Sequence, residues 1–160
     1  MADVVDKHTR SKLMSGIRGR GNAATELRLA GLLRTHGIAG WRRRQRVLGH
    51  PDFTFRTARL VIFVDGCFWH GCPRHYVAPK SNRTFWMRKR RTNRARDCAV
   101  VRDLQRLGWT IIRIWECELR EMPRASVAKI LRAIEASPRK SVTVSGSDGG
   151  RNYGSTAALH

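Results

Sequence analysis

HPDFTFRTARLVIFVDGCFWHGCPRH, residues 50–75, is the stretch on which the fold turns. Within it Leu60 to Val64, LVIFV, is apolar at consecutive positions and rich in β-branched residues. It reads as a buried central strand, because a half-exposed strand would alternate apolar with polar. Upstream, Asp52 to Arg56 is a second run of β-formers, separated from the first by the turn signal Thr57-Ala58. A third run, Arg44 to Leu48, ends at the turn signals Gly49-His50-Pro51, so the three runs predict an antiparallel meander. Directly after the central strand come two cysteines, two histidines and the aromatic pair Phe68-Trp69. The loop that carries them, Gly66 to Thr84, is too long to be idle in a compact domain.

Working outward, Leu27, Ala30 and Leu33, with Leu29 and Leu32 beside them, recur at helical spacing from Ala24 until Gly37. Beyond the loop the chain is expected to turn helical from Phe85 to Gly108. Cys98, Val101, Leu104 and Leu107 fall on one apolar face, so Cys98 is expected in the core. Trp109 to Trp115, WTIIRIW, is a further apolar strand. Its helical crossover from the meander predicts parallel pairing beside the central strand. A helical turn over Glu116 to Arg120 and an amphipathic helix through Val127, Ile130, Leu131 and Ile134 follow. The fold class is α/β, a mixed sheet flanked by helices. Residues 1–22 read as a basic arm, 23–136 as the domain, and 137–160, rich in Ser, Gly and Thr, as a disordered tail.

Thirty-two Lys and Arg face 12 Asp and Glu, for a net charge of +20. That much positive charge repels itself unless a polyanion takes it up, and aromatic residues are interleaved with it, so the partner is expected to be nucleic acid. No basic amphipathic helix with an exposed apolar face is visible, which disfavours a membrane surface. The N-terminal residues hold no apolar leader segment, and nowhere do 18 apolar residues run together. A soluble protein of the bacterial cytoplasm, held at the nucleoid through DNA, is the expectation, with its four cysteines reduced.

Two metal sites are written into this segment. Asp52, after a proline at the start of a strand, presents its carboxylate at the sheet edge, where it suits magnesium. Cys67, Cys72 and His75, with Cys117 at the end of the last strand, supply three thiolates and one imidazole, which close a tetrahedral zinc shell of the structural kind. Phe68-Trp69, rooted between a zinc ligand and His70, reads as a wedge for entering a base stack. His70 is of a type suited to proton transfer, whereas His8, His36 and His50 carry no partner signal and read as surface.

Pro-Asp, a hairpin, then helix and strand resembles the restriction-endonuclease-like nucleases, although their acidic-x-lysine signature is replaced here by Phe63-Val64-Asp65. The closer resemblance is to the very short patch repair (Vsr) DNA mismatch endonuclease family. It is carried by DKHTRSKLMSGI, HPDF, VIFVDGCFWHGC, RTFWMRK with Asn93 and Arg96-Asp97, and LGWTIIRIWECEL, across about residues 1–121. The resemblance implies magnesium-dependent nicking of one strand 5′ of the thymine in a T·G mismatch left by deamination of 5-methylcytosine. It implies Asp52 and the main-chain carbonyl of Val64 as magnesium ligands, His70 as the residue activating water near the scissile phosphate, and Glu26 as the carboxylate orienting metal-bound water. Asp65 stands where some members have a second histidine. Phe68, Trp69 and Trp86 are implied to enter the stack, with Met14 on the arm approaching from the other groove. Lys89 and Asn93 would contact bases and Arg96, with neighbouring arginines, phosphate. The implied partners are T·G-mismatched duplex DNA, a companion cytosine-5 methyltransferase, and a repair polymerase and ligase; the protein itself is expected to be a monomer.

Two other readings stand beside this one. A restriction-type nuclease of the same superfamily would cut both strands of paired DNA as a dimer, and a zinc-stabilised DNA-binding module would not cut at all.

Overall fold

The computed structural model describes residues 23–137. The arm, Met14 included, and the tail beyond residue 137 lie outside the described residues. Four strands form one sheet in the order β1-β2-β3-β4: Trp41–Arg42, Phe53–Phe55, Leu60–Asp65 and Thr110–Trp115. The first three pair antiparallel, and β4 runs parallel to β3, as the crossover predicts. A π-helical turn, Ala23–Leu27, leads into α1 (Arg28–Thr35), and α2 (Arg83–Arg106) makes the crossover. α3 (Glu116–Glu121) and α4 (Pro123–Glu135) follow the sheet. The sheet is therefore mixed and the fold α/β.

The strand expected over Arg44 to Leu48 is corrected. Its place is taken by the shorter β1, just upstream, where Trp41 pairs with Phe55 and Arg42 with Thr54. Arg44 at φ 55°, Gly49 at φ 76° and His50 at φ 53° leave the extended region. Turn bonds from Val47 N to Gln45 O and from His50 N to Val47 O fold the segment on itself. Only glycine fits at position 49: besides its φ, a Cβ there would lie 2.2 Å from Val100 Cγ1 on α2. Gly49→Ala is expected to cost about 1–3 kcal/mol, measured as a lower urea-unfolding midpoint, from the left-handed backbone and the overpacking together.

Register divides the sheet into two faces. Leu60 and Ile62 of β3, with Ile112 and Ile114 of β4, pack on Leu29 and Leu33 of α1, Leu119 of α3, and Val127 and Ile130 of α4. Burying each such side chain contributes roughly 1.5–3 kcal/mol. The alternate residues, Phe63, Asp65, Arg113 and Trp115, share the opposite face, because Phe63 pairs with Arg113 and Asp65 with Trp115. Three of them line a cavity with Arg94, Asp97 and Cys98 of α2.

That polar face explains a second correction. Cys98 is exposed rather than in the core, and Leu107 is also exposed, so of the expected apolar stripe only Leu104 is fully buried. α2 covers the site face, where its inward residues include Asn93 and Asp97, so the helix carries less apolar surface than a core helix needs. Arg59 fastens the end of α2 by donating from Nε to Gly108 O at 3.2 Å while its guanidinium lies over Trp109. Ser137 Oγ donates to Ala58 O at 3.0 Å, so the packed chain reaches residue 137.

Candidate active site and metal centre

Asp52 enters β2 with its backbone N–H bonded to Ile62 O and its Oδ2 accepting the Val64 N–H at 2.7 Å. Burial pushes its carboxyl up to about 6, and the neighbouring carboxylates Glu26 and Asp65 push the same way against the Val64 bond. Of these three acids two are already paired. Glu26 is bonded to Arg43, and Asp65 is held by Arg113. Asp52 has no ion-pair partner among the described residues, and a desolvated carboxylate left in this state is where a cation is most favoured. It lines a pocket of about 230 Å³ with Glu26, Arg44, Gln45, Arg46 and His50. Glu26 and Asp52, far apart in sequence, thus come together, and His50 joins the pocket wall although no partner signal marked it.

His70 lines a second cavity, of about 190 Å³, together with Asp65, Arg94, Asp97 and Arg113. Its Nδ1 is 2.8 Å from Asp97 Oδ2. An N–H at Nδ1 donates to that carboxylate and leaves Nε2 for chemistry, the orientation that a general base requires. Asp65 is buried, and both its oxygens accept from Arg113, at 2.6 and 2.7 Å. The side chains of Asp97 and Arg113 are the parts of this site that the sequence reading did not single out. A lone arginine inside an apolar strand was the available signal, since a charge at such a place demands a partner.

Cys67, Cys72, His75 and Cys117 bring their ligand atoms within 4.8 Å of one another. Cys72 and Cys117 sulfurs stand 3.7 Å apart, close to the ~3.8 Å edge of a tetrahedron with zinc–sulfur bonds of ~2.3 Å. Burial pushes the Cys67 thiol up to about 12. At Cys72 burial acts in the same sense, but the Arg74 and His75 backbone N–H groups and the His75 side chain outweigh it and bring the thiol down to about 7. Arg74 also donates to Cys117 Sγ at 3.5 Å. A cluster that joins the Cys72 sulfur, poised to ionise, to the Cys67 thiol beside it is suited to a soft divalent ion that displaces the protons.

The aromatic residues gather beside it. Phe68 lies 5.2 Å from Trp69, 5.1 Å from Trp86 and 6.1 Å from Tyr76, centroid to centroid. Lys89 and Arg90 line the same spot. Asn93 is turned inward, its Nδ2 donating to Trp69 O at 3.1 Å, so in this structure it braces the loop. Arg96 is exposed and stands 3.9 Å from Asp97.

A half-buried Asp52 with no ion-pair partner among the described residues, an aspartate-oriented histidine, and exposed basic helix surface on a chain of charge +20 are the features an enzyme that cuts DNA would carry. A family model described as DNA mismatch endonuclease Vsr matches residues 2–76. The chain is 43% identical over 121 residues to the DNA mismatch endonuclease Vsr of Escherichia coli K12, covering 75% of this chain and 77% of that one. It is 39% identical over 85 residues to a type II nicking enzyme of Lentzea aerocolonigenes, covering 53% and 51% of the two chains. With a type II nicking enzyme of Xanthomonas oryzae it shares 37% identity over 124 residues, 76% of this chain and 90% of the relative. The chain belongs to the DNA mismatch endonuclease Vsr family. Among the described residues no helix is long and apolar enough to cross a membrane.

Proposed function

We propose that this endonuclease nicks one strand of duplex DNA 5′ of the thymine in a T·G mismatch, using magnesium at Asp52, on a restriction-endonuclease-like core braced by structural zinc. The observation that carries the reading is the six-residue span from Cys67 to Cys72, which holds Phe68, Trp69 and His70 between two cysteines of the metal cluster. A wedge and a proton-transfer group on one pinned span couple recognition of a weakened base pair to cutting beside it. Unstacking costs a few kcal/mol and is cheapest at a mismatch.

Asp52 and the main-chain carbonyl of Val64 hold the magnesium, which when bound neutralises charge building on the phosphate and the leaving oxygen. His70 takes the proton of the attacking water at Nε2 while Asp97 keeps the ring in place. Glu26, held by Arg43, would orient water held by the metal beside Asp52. Phe68, Trp69 and Trp86 enter the stack, and the basic arm brings Met14 from the opposite groove. Lys89, Asn93 and Arg96 lie along the DNA on α2, with Asn93 acting through its bond to Trp69 O. The substrate chemistry places the enzyme after a cytosine-5 methyltransferase and before a polymerase and ligase.

The test is a strand-resolved cleavage assay on duplexes differing only in one T·G or T·A pair. Nicking confined to the thymine strand of the T·G duplex is expected. Equal cutting of both strands in the paired duplex would establish the restriction-type reading instead, and tight T·G binding without any cut would leave a binding module.

A further inference from the structure

Arg113 is the one charged residue of β4, TIIRIW. Its parity puts it on the site face, where its guanidinium lies 5.4 Å from the Phe63 ring centroid. Nε and one terminal nitrogen donate to the two oxygens of Asp65. That same terminal nitrogen stands 3.1 Å from Asp97 Oδ2, the oxygen that faces His70 Nδ1 at 2.8 Å. One carboxylate oxygen is therefore shared between the guanidinium and the imidazole. A bidentate pair has little freedom to rotate, and the Arg113 side chain is only 26% exposed, so whatever fixes Arg113 fixes Asp97.

We propose that Arg113 is a positioning residue which, anchored on Asp65, holds Asp97 against His70 and so sets where Nε2 faces. The assignment rests on the reading of His70 as the group that accepts the proton. It also gives Asp65 a defined part: with both oxygens occupied, it is the fixed end of the clamp. The competing account is that Arg113 only compensates a buried acid, in which case it matters to stability and not to rate. Removing one member of a buried pair is destabilising, whereas removing both charges can be nearly neutral, and this difference separates the accounts.

The variants are Arg113→Gln, Arg113→Lys and the double Asp65→Asn/Arg113→Gln, each assayed where circular dichroism shows it folded. Single-turnover cleavage with enzyme in excess and DNA affinity are measured on the same T·G duplex. Arg113→Gln is expected to slow cleavage on the order of 10²-fold with affinity changed by less than about threefold, the cost of a misplaced catalytic group. Lysine, which cannot form the two-pronged pair, is expected to recover only part of the rate. The double variant is expected to regain the parental unfolding midpoint and stay slow. Parental cleavage by the double variant or by Arg113→Gln would overturn the proposal, as would a loss of affinity matching the loss of rate, which would make Arg113 a DNA ligand. His70→Ala serves as the separate control: parental cleavage there would sink the reading of His70 itself.

Discussion

Asp52→Asn is expected to abolish cleavage, by 10³-fold or more on the scale of removing a metal ligand, while making the magnesium-free protein harder to unfold. The second half follows from the strained ionisation of this carboxylate. Folding raises its pKa from the ordinary 3.8 to about 6, chiefly by burial. The folded state thus binds the proton more tightly than the unfolded chain does. That advantage is complete below the unfolded value and is lost as pH rises through about 6. At pH 7 the ionised group weighs on the fold by roughly 3 kcal/mol or somewhat less. Asparagine keeps an oxygen for the Val64 N–H and carries no charge, so the variant is expected to be about 1–3 kcal/mol more stable at pH 7, an advantage that shrinks as pH falls through about 6. Urea unfolding in magnesium-free buffer, with zinc retained, is the measurement. A variant less stable than the parent at pH 7 would show that the carboxylate was not under strain.

Withdrawal of zinc is expected to cost the whole fold. Cys117 opens α3 and is fully buried, while Cys67 and Cys72 lie across the loop that leaves β3. The metal would tie that loop to the start of α3 at the same end of the sheet, where Asp65 pairs with Trp115. Structural zinc can contribute on the order of 10 kcal/mol, comparable with the entire 5–15 kcal/mol stability of an ordinary domain. Chelation, or Cys117→Ser, is therefore expected to remove the cooperative unfolding transition and cleavage together, with zinc content read by metal analysis. Cys98→Ser, at an exposed thiol, is expected to leave the midpoint within about 0.5 kcal/mol, as surface substitutions do. A folded, active Cys117→Ser protein would end the zinc assignment.

Much of this architecture was legible in the chain because the signals were local. LVIFV reads as a buried central strand and WTIIRIW as its parallel neighbour, and the spacing of Cys67, Cys72 and His75 marks a cluster that the fold brings together with Cys117. Arg44 to Leu48 misled because its composition suits a strand, whereas the backbone turns left-handed at Arg44, Gly49 and His50, and at Gly49 it comes against Val100 far along the chain. Cys98 misled because helical spacing identifies an apolar stripe without saying what it will face. The clamp of Asp65, Arg113 and Asp97 draws on three separate elements, and only the register of β3 against β4 brings the first two to one face. Composition carries no register, so that part of the site had to be read from the fold.

The alternation of β4 has a consequence for how the protein can change. Ile112 and Ile114 face the core while Arg113 and Trp115 face the chemistry, each pair matched to β3 across the parallel ladder. A slip by one residue would reverse every side chain at once, driving a guanidinium among leucines and turning two isoleucines toward solvent. Insertion or deletion of one residue between Trp109 and Trp115 is thus expected to disrupt the sheet. Exchanges at single positions keep the register, so a change at 113 or 115 falls on the face of the His70 cavity and leaves the isoleucines on the core face.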